Sequence, residues 1–158
     1  MKLGNTAVKT ALGAAAIATA GICGAGVAGA APPAVQHFGT SAPLVSGPMV
    51  TSYTVTNLQP TDVVIPGYVP HGQLYQADVT ARSDGGTVTP VIADFNARAA
   101  NGQTYRIINT VPTPGGISSA PITPGSQSSG KIYFDATGAA PNGVVYNDGV
   151  QDVLIWTA

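Results

Sequence analysis

The stretch PVIADFNARAANGQTYRII, residues 90–108, is typical of a β-hairpin, because Asn101-Gly102 is a strong turn pair between two runs of strand-forming residues. A two-residue loop would pair Ala100 with Gln103 and would mix apolar and charged residues on each face. A three-residue loop, 100–102, pairs Ala99 with Gln103 and separates the faces. One face then carries Ala93, Phe95, Ala97, Ala99, Tyr105 and Ile107, and the other carries Asp94, Asn96, Arg98, Thr104 and Arg106. Since a one-residue slip inverts the faces, the pattern favours the three-residue loop with Gly102 at positive φ.

Working outward from the hairpin, the stretch GQLYQADVTAR, residues 72–82, shows the alternation of a half-buried antiparallel strand. Its inward face is Tyr75, Ala77, Val79 and Ala81, and its outward face is Gln76, Asp78, Thr80 and Arg82. Other short β-rich runs, separated by Gly and Pro, are 49–56, 62–65, 87–98, 104–110, 131–137, 143–146 and 152–157. The Pro-, Gly- and Ser-rich stretch 110–130 is predicted to be a surface loop with one short strand near Ile117. The pattern predicts an all-β sandwich or barrel.

The first 30 residues differ from the rest and have the three parts of a secretory signal peptide. Lys2 and Lys9 form a basic start, residues 11–30 carry no charge, and Ala28-Gly29-Ala30 is a small-residue cleavage site. The run is long enough for a membrane anchor to be weighed, but it is rich in Ala and Gly and no positive stop follows it. A lipoprotein acylated at Cys23 is disfavoured because Ile22 precedes the cysteine. The sequence therefore predicts a signal peptide at 1–30, and no stable membrane insertion after cleavage.

We expect the protein recovered from culture medium to begin at or near Ala31, because cleavage follows the small-residue site. Intact-mass spectrometry of that protein checks this expectation. A mass that retains Lys2 and Lys9, or a lipid adduct on Cys23, would contradict it.

The composition after residue 30 excludes several classes of function. Four basic residues oppose seven aspartates, a formal charge of −3, and there is no glutamate. With no basic stripe, nucleic acid is not an expected partner. Cys23 is the chain's one cysteine, so a mature domain would fold without disulfides, on its core alone.

The inventory for catalysis or metal binding is thin. The two histidines are His37 and His71, no G-x-S-x-G elbow is present, and no Glu pair is available for glycoside hydrolysis. Asp94 and Asp135 lie in predicted strands and are interpreted as solvent-facing. The stretch YNDGVQD, 146–152, offers the oxygens of Asn147, Asp148 and Asp152, but it lacks the spacing of a calcium loop and is interpreted as a hairpin turn. No cofactor or metal is predicted.

The stretch VIPGYVPHGQLYQADVT, residues 64–80, places two tyrosines and a histidine close together in sequence. Pro66-Gly67 fits a type II turn with Gly67 at positive φ. Tyr75 is in phase with the inward face of the strand that follows, whereas His71 should be exposed at the turn. We therefore interpret Tyr68, His71 and Tyr75 as a braced turn rather than a convergent binding site.

Several stretches, in order and spacing, resemble the mycobacterial secreted immunogenic protein family. They are VIPGY, GQLYQADVT, VTPVIADFNARAANGQTYRI, SSGKIYFDATG and DGVQDVLIWTA, of which FNARAANGQTYR and GKIYFDATG are the most distinctive. The resemblance covers residues 48–158 and is poorest over 31–47. It implies an immunoglobulin-like antiparallel β-sandwich, secretion, recognition by a host immune system and no enzyme activity. The predicted core of that sandwich is Val55, Val79, Phe95, Ile107, Ile132, Phe134, Leu154 and Trp156.

Three functions stay open at this point. The favoured one is a secreted interaction module whose partner is a protein of the host or of the cell envelope. The second is a hydrolase that uses Asp or Ser, which would require Asp62, Asp148, His71 and the loop serines to converge in one pocket. The third is a carrier of a small ligand, which would require a sizeable cavity. The oligomeric state is not predicted.

Overall fold

The computed structural model of the protein describes residues 31–158, which fold into two β-sheets packed face to face. The strands are β1 (Ala34–His37), β2 (Ser41–Ser46), β3 (Met49–Pro60), β4 (Gln73–Gly85), β5 (Phe95–Ala99), β6 (Thr104–Arg106), β7 (Gln127–Ala136), β8 (Pro141–Asn147) and β9 (Asp152–Thr157). Sheet I has the order β1-β9-β8-β5-β6, and sheet II has the order β2-β3-β4-β7. Every named pair is antiparallel except β1 with β9, which is parallel. The predicted all-β sandwich is confirmed.

The register of the β5–β6 hairpin is the predicted one. Ala97 lies opposite Tyr105, the Ala99 amide donates to the Gln103 carbonyl at 2.9 Å, and Gly102 has a φ of 88°. The loop therefore contains three residues. Phe95, Ala97, Ala99, Tyr105 and Ile107 are buried as predicted.

The core forms where the inward faces of the two sheets meet. All eight predicted core residues are buried, and Val55, Phe95, Phe134 and Trp156 have no exposed surface. Four aromatic rings occupy its centre: Phe95 lies edge-on to Tyr53 at 5.3 Å and to Tyr146 at 5.2 Å, and Trp156 lies 6.2 Å away. The Trp156 indole N–H also donates to the Thr40 carbonyl at 2.9 Å, so this large ring is buried with its polar atom satisfied.

Two predicted strands are wrong in whole or in part. Residues 62–65 form no strand, because the chain leaves sheet II after Pro60 and buries Ile65 outside the main core. The predicted strand 87–98 begins only at Phe95, since Pro90 cannot donate to a ladder and a 3-10 turn occupies Ile92–Asp94. Ala93 is consequently exposed rather than on the core face, and Asp94 is half-buried in the turn.

The remaining boundaries also differ from the prediction. The segment 31–47, where the resemblance was poorest, supplies β1 and β2. Strand β7 begins at Gln127, within the predicted loop, and the short strand near Ile117 is a single bridge between Gly116 and Lys131. Strand β6 has only three residues, because Ile107 turns to bridge Phe134 of sheet II.

The free edges of both sheets are short, interrupted or covered. In sheet I, β1 has four residues and β6 has three. In sheet II, β2 contains Pro43, and β7 is covered where Ile108 and Ile117 donate to the carbonyls of Tyr133 and Lys131. Such edges discourage the addition of a further strand.

Arg98 faces outward as predicted, but it has a partner that the strand pattern did not indicate. Both of its terminal nitrogens bind the carboxylate of Asp152 on the outer face of sheet I, and Asn147 donates to the same carboxylate at 2.9 Å. The guanidinium holds the pKa of Asp152 below its ordinary value against the opposing effect of partial burial.

Replacing Arg98 with alanine should therefore lower the free energy of unfolding by about 1 kcal/mol, because a bidentate, partly shielded ion pair is worth more than an exposed one. Arg106→Ala on the neighbouring strand is the matched control and should change it by less than about 0.5 kcal/mol. Urea denaturation of both variants and of Asp152→Ala measures the coupling. If the double variant Arg98→Ala/Asp152→Ala lost as much unfolding free energy as the two single variants together, the two side chains would not be coupled and this account would be contradicted.

Candidate functional site

The segment 61–72, here called the braced loop, crosses from the end of β3 to the start of β4. The Tyr68 amide donates to the Ile65 carbonyl at 3.1 Å across Pro66-Gly67, and Gly67 has a φ of 80°. These values confirm the predicted type II turn. The turn fixes the direction of Tyr68 and of the residues that follow it.

A single carboxylate holds the loop to sheet II. Asp135 Oδ2 accepts from the Tyr68 hydroxyl at 2.9 Å and from the His71 amide at 2.7 Å, and Oδ1 accepts from the Gly72 amide at 2.8 Å. The interpretation of Asp135 as a solvent-facing aspartate is therefore wrong. It is half-buried and joins three residues of the loop to β7.

Apolar contacts reinforce this attachment on the outer face of sheet II. A small cluster, separate from the main core, contains Ile65 of the loop, Leu74 of β4, Ile108, and Tyr133 of β7. Tyr68 packs against it, and the Tyr133 hydroxyl donates to the Pro114 carbonyl at 2.8 Å. The braced loop is thus attached to sheet II by apolar packing as well as by hydrogen bonds.

The predicted trio does not converge, and the interpretation as a braced turn is confirmed. Tyr75 lies on the opposite face of sheet II and packs against the main core. His71 is exposed, as expected, and contributes its amide rather than its ring to the bracing. The residue that sequence reasoning missed is Asp135, although Leu74 and Tyr133, apolar residues on an outward face, indicated that something covers this part of the sheet.

The hydrogen bonds determine the protonation of this carboxylate. Partial burial of Asp135 opposes ionisation, but the His71 amide, the Tyr68 hydroxyl and the Gly72 amide outweigh it, so its pKa lies below its ordinary value. Burial raises the pKa of Tyr68, and the Asp135 charge raises it further. The pair therefore stays as carboxylate and neutral phenol at neutral pH, which suits the hydrogen bond between them.

Because the pKa of Asp135 is lower in the folded state than in the unfolded state, where it is about 3.9, its ionised form stabilises the fold. This stabilisation is complete above the unfolded pKa and is lost as the pH falls through the folded pKa. We expect Asp135→Asn to cost about 1–2 kcal/mol at pH 7, since an amide cannot accept all three bonds. The difference in unfolding free energy between wild type and variant should shrink below about pH 4. Urea denaturation from pH 7 to pH 3 measures it, and a difference that is constant with pH would contradict the role of Asp135.

Asp148 and His71, two of the residues proposed for a hydrolase, lie at opposite ends of the sandwich. Asp148 lies in the β8–β9 turn, at the end of β8 opposite to the β7–β8 connection, whereas His71 lies beside the start of β4, where Gln73 pairs with Ala136. Asp148 itself accepts from the amides of Val150 and Gln151, both at 2.9 Å, as a turn residue does. The interpretation of 146–152 as a hairpin turn is confirmed. Between residues 31 and 158, no three His, Cys, Asp or Glu side chains are grouped to hold a metal ion.

The braced loop exposes apolar side chains and borders a groove. Val64 is 82% exposed and Val69 is 78% exposed. Beside them, a groove of about 290 Å³ runs between the loop and the start of β4, lined by Asp62, Ile65, Tyr68, Pro70 and Leu74 among others. This braced surface, with its two exposed valines and the adjoining groove, is the candidate interaction site. In the part of the chain that the structure describes, no helix is long and apolar enough to cross a membrane.

Comparison with known proteins extends the resemblance over the whole chain. The family model described as a domain of unknown function (DUF1942) matches residues 33–156. The immunogenic proteins MPB63 of Mycobacterium bovis and MPT63 of Mycobacterium tuberculosis are each 41% identical to this chain over 158 residues, which is 99% of this chain and 99% of theirs. The relationship therefore includes the segment 31–47, which the quoted motifs did not cover.

Solved structures agree with the observed architecture. The crystal structure of MPT63, described as a secreted protein from Mycobacterium tuberculosis, superposes with a TM-score of 0.79 at 40% identity and covers 82% of this chain and 100% of that one. The yjhA protein of Bacillus subtilis shares the fold alone, with a TM-score of 0.51 at 18% identity over 74% of this chain and 84% of its own. The relatives are named as immunogenic proteins and not as enzymes. The chain therefore belongs to the mycobacterial family of secreted immunogenic proteins that MPB63 and MPT63 represent.

Proposed function

We propose that this secreted protein is a binding module and that the braced loop is the surface that contacts its partner, a protein of the host or of the cell envelope. The observation that carries the proposal is the pair of exposed valines, Val64 and Val69, on a loop that Asp135 holds in one conformation. Exposed apolar side chains on an ordered loop are a common feature of interaction sites.

The rigidity of the loop supports this role through the entropy of binding. A flexible loop loses conformational freedom when a partner orders it, and this loss weakens the complex. Here the turn at Pro66-Gly67, three hydrogen bonds to Asp135 and the cluster around Tyr133 have already fixed the loop in the free protein. Val64 and Val69 are thus presented to a partner at little further cost in entropy.

The edges of the sandwich give less support to the alternative way of binding, which is strand addition. That mode needs an open edge with several free backbone groups. The β1 and β6 edges are short, Pro43 interrupts β2, and backbone hydrogen bonds from the segment 107–117 cover part of β7. A loop-mediated contact is therefore favoured over an edge-mediated one.

The test compares two sets of exposed valines. The wild type, a Val64→Ser/Val69→Ser variant and a Val150→Ser variant would be crosslinked in host-cell and cell-envelope extracts, and captured proteins identified by mass spectrometry. Val150 is the matched control, because it is 91% exposed but lies in the β8–β9 turn at the opposite end of the sandwich. We expect a specific partner to be captured by the wild type and by Val150→Ser, and to be lost with the double variant.

Since all three valines are exposed, the variants should keep the thermal midpoint of the wild type, which separates loss of binding from loss of folding. A partner captured equally by the double variant, or lost only with Val150→Ser, would place the contact elsewhere and overturn the proposal.

A further inference from the structure

A second concave feature lies away from the braced loop, between the two sheets. It is a cleft of about 280 Å³ lined by residues from three separate parts of the chain. Leu44, Ser46, Met49, Thr51 and Tyr53 come from β2 and β3 and the turn between them, Val88, Thr89 and Val91 come from the segment that crosses to sheet I, and Tyr146 comes from β8. We call this feature the inter-sheet cleft.

The lining of the inter-sheet cleft combines apolar and hydroxyl groups. Its apolar side chains are Leu44, Met49, Val88 and Val91, and its hydroxyl side chains are Ser46, Thr51, Tyr53, Thr89 and Tyr146. No charged side chain lines it. Because an anion moved out of water into such surroundings is not compensated, and the negative charge of Asp94 acts on both tyrosines, the cleft selects against anionic ligands. The hydroxyls can donate to, or accept from, a neutral polar group.

The two tyrosines are buried in the core beneath the cleft and support its floor. Their rings stack at 5.2 Å with an interplanar angle of 28°, and Phe95 lies edge-on to both. Burial raises the pKa of both tyrosines, and the Asp94 charge raises each further, so both hydroxyls remain protonated at neutral pH. A cleft whose floor is fixed by the packing of the core is formed before any ligand arrives.

The opening of the cleft carries exposed apolar surface. Met49, from β3, is 42% exposed, and Val91, from the segment that crosses to sheet I, is 48% exposed. Methionine is flexible and packs readily against differently shaped apolar groups. The size is near the lower limit of small-molecule sites, which suits a ligand of one or two rings rather than a long chain.

We propose that the inter-sheet cleft binds a small, uncharged ligand with a flat apolar body and one hydroxyl or carbonyl group. The apolar side chains of Leu44, Met49 and Val91 would contact the body of the ligand, and the exposed hydroxyls of Ser46 and Thr89 would bond its polar group. This site is independent of the braced loop, so the two proposals can fail separately. It identifies a binding site for the third function considered above, a carrier of a small ligand.

The test uses three probes of one shape and different charge: 1-naphthol, 1-naphthoate and 1-naphthylmethylammonium. Each would be titrated into the protein purified from culture medium at pH 7, with binding followed by amide NMR shifts. We expect saturable binding of 1-naphthol with shifts around Thr51, Val88 and Tyr146, and at least about ten-fold weaker binding of 1-naphthoate. No saturation with 1-naphthol, equal binding of 1-naphthol and 1-naphthoate, or tighter binding of 1-naphthylmethylammonium than of 1-naphthol would overturn the proposal.

Adjacent residues of β2 supply a matched pair of variants. Leu44 lines the cleft and is half-buried, whereas Val45 points to the other side of the strand and is 66% exposed. Leu44→Trp should fill the cleft and weaken 1-naphthol binding at least about ten-fold, and Val45→Trp should leave it unchanged. If Leu44→Trp does not fold, as its thermal midpoint would show, Thr51→Val and Tyr146→Phe test the same cleft. Full binding by a folded cleft variant would place the probe elsewhere and contradict the assignment.

Discussion

Phe95→Ala should lower the free energy of unfolding by about 3–5 kcal/mol, because it removes a fully buried ring and leaves a cavity. The ring lies against Tyr53, Tyr146 and Trp156, so it joins β3 of sheet II to β8 and β9 of sheet I. The neighbouring rings are held by their own strands and can refill the space only partly. Urea denaturation measures the loss, with the same dependence of unfolding free energy on urea concentration fitted to both proteins.

The matched control for Phe95 is Phe38, which lies between β1 and β2 and packs only partly against the core. The same truncation there should cost clearly less, because part of the ring is already in contact with water. Equal losses for Phe95→Ala and Phe38→Ala would mean that the ring cluster is not the centre of the core.

Gly72→Ala should cost about 3 kcal/mol, although a glycine to alanine change is ordinarily mild. A Cβ atom on Gly72 would lie 2.1 Å from the carbonyl oxygen of Ala136 and 2.6 Å from its carbonyl carbon. Both are backbone atoms, so β4 and β7 must separate locally. The separation also breaks the bond from the Gly72 amide to Asp135 and loosens the braced loop.

Gly102→Ala is the matched control for Gly72→Ala, because at Gly102 an added Cβ atom meets backbone strain but no crowding. Gly102 has a φ of 88° and nothing within 4 Å of a Cβ atom, so alanine there suffers only the strain of a left-handed conformation, about 1–2 kcal/mol. Thermal and urea denaturation of both variants would rank them. A Gly102→Ala loss larger than that of Gly72→Ala would show that the close approach of Gly72 to Ala136 is not the controlling feature.

The parts of the fold that sequence predicted are those in which local pattern and turn chemistry agree. The β5–β6 hairpin is one case, because its alternation and Asn101-Gly102 require the same register. The inward face of β4, with Ala77, Val79 and Ala81 buried, is another. The failures lie where a tertiary contact overrides an apolar run: residues 62–65 leave the sheet so that Ile65 can cover its outer face, and the 3-10 turn before Phe95 exposes Ala93.

Neither the braced loop nor the inter-sheet cleft could be predicted from local sequence pattern and turn residues. Asp135 binds the amides of His71 and Gly72 across 64 and 63 positions of the chain, and no local spacing predicts such a contact. The inter-sheet cleft draws its lining from β2–β3, the crossing segment and β8, which only the packing of the two sheets brings together. The ion pair of Arg98 with Asp152, 54 positions away, was missed for the same reason.

The parallel pairing of β1 with β9 has a consequence for the order in which the chain folds. Ala34 lies beside Leu154 and Gln36 beside Trp156, so the first strand to leave the ribosome has no place in sheet I until the ninth has been made. Trp156, which fills the centre of the core, also arrives with that ninth strand. Contacts this distant in sequence form slowly. Sheet I and the centre of the core therefore cannot be completed until β9 has been made, and a chain whose sandwich has not closed is the form that can be threaded through a narrow translocation channel.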